Sequence, residues 1–235
     1  MNYFDTEQYI KNYFEELGNL SPNGALLHFR RYGQFEGKTD QKDKKKYLIT
    51  VVTPCIRPSN LLKIKDSLNF DFVCEWIIVY DSSKVQEKLE DGKMLKQFEG
   101  IDKISEYYYK LPGGCSGNVQ RNYALSLIKN KESFIYYLDD DNIIHPDLYT
   151  LTLLPNKIYT FNQLYKNDKK RLTGNNITIG RIDSAMFLVW YPLVKDIKWE
   201  IDKYDADGYY ILECYTKNRD KLIYINKYIS YYNYL

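Results

Sequence analysis

The stretch "FIYYLDDDNIIHPDLY", residues 134–149, sets three consecutive carboxylates directly after an apolar run. Phe134, Ile135, Tyr136, Tyr137 and Leu138 read as a buried strand, since a short unbroken apolar run is the pattern of a strand covered on both faces. Asp139, Asp140 and Asp141 stand where that strand ends. Adjacent carboxylates repel one another and are poor strand formers, so a compensating positive charge is expected beside them. Further on, His145-Pro146-Asp147 reads as a helix start with Pro146 in its first turn; a metal-ligating His145 is the second reading.

Upstream of this strand the chain alternates strands and helices from Tyr47 onward. "YLITVVTP" is an apolar, β-branched strand, and "SNLLKIKDSL" has helical spacing with Ser59 as candidate N-cap. "CEWIIVYDSS" is a second strand ending at Asp81, followed by a helix-prone segment, "KVQEKLEDGKMLKQF". "ISEYYYKLP" reads as a short strand, and the glycine-rich "GGCSGN" leads into the helix "VQRNYALSLIKN". Such alternation predicts an α/β fold with a mostly parallel sheet flanked by helices. Ligands of such sheets bind beyond the carboxyl ends of the strands. Thr53, Asp81 and Asp139 to Asp141 all fall at such ends, so independent strands deliver polar residues to one rim.

Hard oxygen ligands with no cysteine nearby suit Mg²⁺ or Mn²⁺, which commonly accompany a phosphorylated substrate. Arg57 after the first strand and Arg121 in the helix after the glycine-rich loop are candidate phosphate contacts. Each feature alone has an ordinary reading: a solvated turn, a helix cap, a surface ion pair. Their joint placement on successive strand ends is what points to a site.

Downstream, residues 156–178 are polar, and "KNDKKRLTGNN" reads as an exposed turn or flexible loop. "GRIDSAMFLVWYPLV" places Asp183 before an apolar strand. "WEIDKYDADGYYILECYTKN" puts Asp205 and Asp207 just before a helix, where carboxylates are also favoured simply as caps. The tail "KLIYINKYISYYNYL" reads as a strand plus a packed helix, with an interfacial membrane segment as the other reading.

The chain has 235 residues, enough for one large domain with a small appendage. Its 33 basic residues nearly balance 31 acidic ones, which argues against a dedicated nucleic-acid binder. Cys55, Cys74, Cys115 and Cys214 are widely spaced, so neither a zinc site nor a disulfide framework is indicated. The first residues carry acids and lack an apolar core, unlike a signal peptide. No apolar run approaches the about 20 residues that span a bilayer. A soluble, cytoplasmic protein is the expectation.

Residues 1–38 read as a helical hairpin. Tyr9, Ile10, Tyr13, Phe14 and Leu17 recur at helical spacing, with Gly18 a stop, and "ALLHFRRYGQFEGK" is a second amphipathic stretch ended by Gly33 and Gly37. His28 reads as structural or surface rather than catalytic. Residues 39–46 are a charged linker, and 47–235 form the main domain. The hairpin pattern resembles a short helical module found beside bacterial and viral glycosyltransferase domains.

In the main domain, TPxxRP at 53–58, "EWIIVYD", "GNVQRNYAL" at 117–125 and "YYLDDDN" at 136–142 occur in one order. Together they resemble the nucleotide-sugar half of a GT-A glycosyltransferase, in particular the β-1,3-glucuronyltransferases and, more loosely, inverting family-2 transferases. The resemblance covers about residues 47–145. It implies a UDP-sugar donor with Thr53, Pro54 and Arg57 near the nucleotide and Asp81 accepting from uracil. Arg121 would contact the diphosphate, Asp139 and Asp140 would face the ribose or metal-bound water, and Asp141 would bind the metal, with Asp139 a further ligand. By the family-2 pattern Asp207 is the expected catalytic base, with Asp205 the fallback. The acceptor (glycan, lipid or protein) is open. A nucleotidyltransferase would carry a glycine-rich signature after its first strand, which "TPCIRPSN" lacks. A non-catalytic scaffold is disfavoured by the intact acids.

Overall fold

The computed structural model describes residues 6–13, 20–30, 47–85, 96–109, 115–200 and 202–235. The charged linker, the helix-prone segment at 86–95, Gly18, Gly33, Gly37 and the glycines at 113 and 114 lie outside the described residues. The chain forms two compact units, Met1–Tyr47 with Thr150–Pro155, and Leu48–Tyr149 with Asn156–Leu235.

The first unit contains helices α1 (Thr6–Asn12) and α2 (Pro22–His28). Ser21 caps α2, its Oγ accepting from the Gly24 amide at 3.2 Å, and Pro22 occupies the first helical position. Tyr9, Tyr13 and Ala25 form a small buried cluster with Phe29 against it. His28 Nδ1 is hydrogen-bonded to the Tyr9 hydroxyl at 3.1 Å, a structural use of this histidine.

The second unit is built on one sheet. Its first strands are β1 (Ile49–Cys55), β2 (Val73–Asp81), β3 (Ile104–Tyr109) and β4 (Phe134–Tyr137), in the order β3-β2-β1-β4 and all parallel. β1 is central and buried at every position, which is why its sequence is mostly apolar and β-branched rather than strictly alternating. A 3₁₀ turn (Pro58–Asn60) and helix α3 (Leu61–Ser67) carry β1 to β2, and helix α4 (Asn118–Leu127) carries β3 to β4. Ser59 does not cap a helix: it lies inside the 3₁₀ turn, and Asn60 precedes α3 without a side-chain cap. Pro58 fixes the backbone so that turning starts one residue before the serine.

Beyond β4 the sheet is mixed. It continues through β8 (Phe187–Trp190), β6 (Ile158–Tyr165), β9 (Leu222–Tyr232) and β5 (Ile143–Ile144), with β7 (Lys170–Leu172) paired to β6. β4–β8, β8–β6, β6–β7 and β9–β5 are antiparallel, while β6–β9 is parallel. Two expectations are corrected here. Within the polar region 156–178, "KNDKKRLTGNN" is largely exposed but contributes the short strand β7 rather than loop alone. The buried strand β6 precedes it, its Thr160, Asn162 and Gln163 finding internal partners in Gly174, Asn226 and Asp183. The tail contributes the single eleven-residue strand β9, and no packed helix follows it. Helices α5 (Tyr191–Val194) and α6 (Ala206–Lys217) complete the unit. No helix among the described residues is long and apolar enough to cross a membrane.

The main core lies between the sheet and α4 and α6. Trp199 stacks on Tyr210 at 4.4 Å and 9°, and the Tyr137 hydroxyl meets that of Tyr210 at 2.9 Å. This aromatic floor sits directly under the residues described next.

Candidate active site

Because β1, β2 and β4 run parallel, their carboxyl ends open onto one edge, with Val52 beside Tyr137 and Cys55 beside Tyr80. The segment after each strand therefore reaches the same place: Pro54 to Arg57, Asp81, and Asp139 to Asp141. These residues line a cavity of about 380 Å³. Gly117, Gln120 and Arg121 from the start of α4, Arg171, Asp183, Asp205, Asp207 and Tyr232 close its remaining walls. Of the residues expected near the nucleotide, Thr53 is the exception. Its Oγ1 accepts from Trp76 Nε1 at 2.9 Å beneath the cavity.

The positive charge expected beside the three aspartates is arginine. Arg57 donates from Nε and Nη2 to Asp140 Oδ1 at 2.9 and 2.6 Å, and from Nη2 to Asp141 Oδ2 at 2.8 Å. Asp140 Oδ2 also accepts the Ile56 and Arg57 amides at 2.6 and 2.7 Å, so Asp140 is a buried brace joining the ends of β1 and β4. Arg121 is buried and donates to Asp139 Oδ1, to the Ser116 carbonyl at 2.7 Å and to Asn118 Oδ1 at 2.9 Å. Its guanidinium lies 4.5 Å from the centre of the Trp199 ring. Both arginines thus hold carboxylates, and Arg57 keeps a half-exposed side chain facing the cavity.

Asp207 lies in the first turn of α6, with Asp205 at the N-cap position but forming no side-chain cap. Burial pushes the Asp207 carboxyl up to about 8, against the pull of Arg121 and with Asp183 and Asp139 adding repulsion. Burial likewise raises Asp139 to about 6 despite Arg121. Asp141 is also raised, by burial first and with Arg57 opposing it. Across the cavity, Asp183 Oδ2 pairs with Arg171 at 3.0 Å, and the Arg171 guanidinium stacks 3.4 Å from the Tyr232 ring centre.

The described lining carries seven carboxylates against four cationic side chains. An anionic ligand entering such a cavity needs a further cation. Among the described residues no three His, Cys, Asp or Glu side chains converge into an all-protein metal cage. Mg²⁺ and similar ions, however, bind through one or two carboxylates and complete their shell with phosphate oxygens and water. Asp141 and Asp139, each paired with one arginine and lining the cavity, fit that kind of site. His145 does not line the cavity; its Nδ1 accepts the Asp147 amide at 3.1 Å and starts a 3₁₀ turn.

Sequence reasoning passed over Gln120, Arg171 and Tyr232. Arg171 and Tyr232 lie on strands that read as loop or as mixed tail, and nothing local marks either as facing a cavity. Gln120 stands beside Arg121 in "GNVQRNYAL", and an uncharged amide there carries no signal of its own in the sequence.

No protein-family model and no curated protein matches the chain. Among solved structures it is similar to S. aureus TarS 1-349 in complex with UDP-GlcNAc, with a TM-score of 0.58 and 12% identity. That match covers 79% of this chain and 58% of that one. It is also similar to glucosyl-3-phosphoglycerate synthase from Mycobacterium tuberculosis in complex with Mn²⁺, UDP and glucosyl-3-phosphoglycerate. There the TM-score is 0.52 at 13% identity, covering 84% of this chain and 74% of that one. The chain has the GT-A fold of nucleotide-diphospho-sugar transferases.

Proposed function

We propose that the chain is a glycosyltransferase that moves a sugar from a nucleoside diphosphate donor, UDP favoured, to an acceptor hydroxyl with inversion. One observation carries this reading: the cavity's acids come as two sets on different elements. Asp139 to Asp141 end β4, Asp207 starts α6, and the buried Arg121 feels the charge of Asp139 and Asp207 alike. Single displacement requires such a division. One side neutralises the leaving diphosphate, and the other takes the proton of the attacking hydroxyl.

In this mechanism Asp81 and Pro54 border the nucleoside, and Arg57 the diphosphate. Asp141, with Asp139, would hold Mn²⁺ or Mg²⁺, whose chemistry is to stabilise charge on the departing nucleoside diphosphate. Asp207 accepts the acceptor's proton, with Asp205 the alternative base two residues away. The acceptor oxygen bonds to the anomeric carbon as the bond from that carbon to the diphosphate oxygen breaks, and the nucleoside diphosphate leaves. The raised Asp207 carboxyl suits a base that holds the abstracted proton firmly. The fold shared with proteins crystallised with UDP-GlcNAc, or with UDP and Mn²⁺, supports this choice of donor and ion. We assign residues 1–38 to partner or subunit contacts rather than to chemistry, and the enzyme to the cytoplasm.

The test is calorimetric titration of UDP with and without Mn²⁺, followed by a panel of UDP-, GDP- and dTDP-sugars with the product anomer read by NMR. Metal-dependent UDP binding and an inverted product are expected. A product that retains the donor's configuration rules out single displacement. Turnover of a nucleoside triphosphate with a sugar 1-phosphate, and none with UDP-sugars, would assign the chain to the nucleotidyltransferases instead.

A further inference from the structure

We propose that Gln120 reads the nucleobase of the donor, an inference that rests on the nucleotide-sugar assignment above. Gln120 is the third residue of α4 and is fully buried. Neither its carboxamide oxygen nor its nitrogen has a hydrogen-bond partner. It nevertheless lines the cavity. Buried amides are almost always paired, and one left unpaired weakens the fold. An amide orphaned at both atoms in a ligand cavity has its partner in the ligand.

Its position selects which part of the ligand. Gly117, in a left-handed conformation at φ 78°, packs on Pro54, and a Cβ there would lie 2.6 Å from Pro54 Cβ and 3.9 Å from Gln120 Oε1. The amide therefore lies against the carboxyl end of β1. Arg121, the next residue, turns the other way to Asp139 at the end of β4. Strand order orders the cavity: Asp81 on β2, then Pro54 to Arg57 after β1, then the β4 aspartates. α4 packs on β2 and β1, and Gln120 stands with the end of β1, next in strand order to Asp81, so we assign it to the nucleoside end of the cavity.

A carboxamide presents one acceptor and one donor side by side in a plane. A diphosphate offers only acceptors and leaves the amide oxygen unpaired. The imide edge of a pyrimidine-2,4-dione such as uracil offers an N–H beside a carbonyl, which pairs both atoms at once; a uridine has a single imide N–H, so this pairing replaces the one that the family resemblance implies for Asp81. The amide is fully buried in the free protein, so binding must part the wall around it. The hydrogen bonds formed there gain strength from the low local dielectric.

Gln120→Met in the full chain tests this, because it keeps length and removes both polar atoms. UDP and ribose 5-diphosphate, which lacks the base, are titrated with Mn²⁺ into wild type and variant. The expectation is UDP binding at least tenfold weaker and ribose 5-diphosphate binding unchanged. The melting temperature of the ligand-free variant should be equal or higher, since two orphaned atoms are gone. Unchanged UDP affinity overturns the proposal, and so does an equal loss for both ligands, which would move the contact to the ribose diphosphate they share. Should the Met variant fail to fold, Gln120→Glu, which keeps size and loses the amide donor, decides by the same two titrations. A wild-type protein that binds neither ligand fails the nucleotide assignment itself rather than this contact.

Discussion

Asp207 is where geometry and electrostatics meet most directly. Its carboxyl is held near 8 by burial, against Arg121, so the folded protein keeps a proton that the unfolded chain releases near the ordinary carboxylate pKa of about 4. The stability tied to this proton is fully present below about pH 4 and is lost as pH rises toward 8. Catalysis runs the other way, since a base must be ionised. kcat/KM should therefore climb with pH and level off above about 8, and Asp207→Asn should abolish that limb while cutting turnover roughly 10²–10⁴-fold with UDP binding retained. Pre-steady-state and pH–rate measurements check both. If Asp205→Asn abolishes turnover and Asp207→Asn does not, the base moves two residues. Asp141→Asn should remove metal-dependent activity while the far-UV circular dichroism stays native; near-normal turnover by that variant would reject it as a ligand. At this scale the acids were legible because three adjacent carboxylates after an apolar strand have few explanations. Their pairing with Arg57, more than 80 positions away, and with Arg121, 18 positions away, was not, because these residues meet only once the strands and α4 are in place.

Elements were legible in proportion to how plainly burial writes itself into sequence. β1, β2 and β4 are covered on both faces and appear as apolar runs. β6 is nearly as buried but contains Thr160, Asn162 and Gln163, whose partners lie on other segments, so its polarity hides the strand. Thr160 donates to the Gly174 carbonyl at 2.7 Å, and Gln163 Nε2 to Asp183 at 3.1 Å. The start of α6 depends on a similar long-range fit. A Cβ on Gly208 would stand 2.6 Å from the Ile179 Cα, a contact that only backbone movement relieves. Gly208→Ala should cost about 1–3 kcal/mol in urea denaturation. Because the displaced turn carries Asp207, turnover should fall more than UDP affinity.

For the whole molecule, the small first unit and the large second one invite separation. The aromatic cluster of Tyr9, Tyr13 and Phe29 is too small to stabilise a domain by itself, whereas the second unit has a large core built on β1, β2, β4, β6 and β8. A chain beginning at Lys46 should bind UDP with Mn²⁺ as the full chain does, read as ligand-induced thermal stabilisation. A folded, soluble truncation that has lost donor affinity would place part of the donor site in the first unit. The GT-A architecture could be expected from strand–helix alternation and the motif order. The mixed half of the sheet could not, because β6, β7 and β9 carry the tyrosine, lysine and asparagine that fill the sequence generally and leave little contrast for a pattern to show.

The column formed by Arg121, Trp199 and Tyr210 gives the protein an optical property. The chain has three tryptophans. Trp76 is hydrogen-bonded to Thr53 below the cavity and Trp190 packs on Phe134, whereas Trp199 lies between a guanidinium at 4.5 Å and a phenol ring at 4.4 Å. A cation held over an indole shifts its emission, so any ligand that draws Arg121 toward itself changes the fluorescence of this one ring. Donor binding should register as a change in intrinsic emission that disappears in Trp199→Phe, letting occupancy be followed without a label.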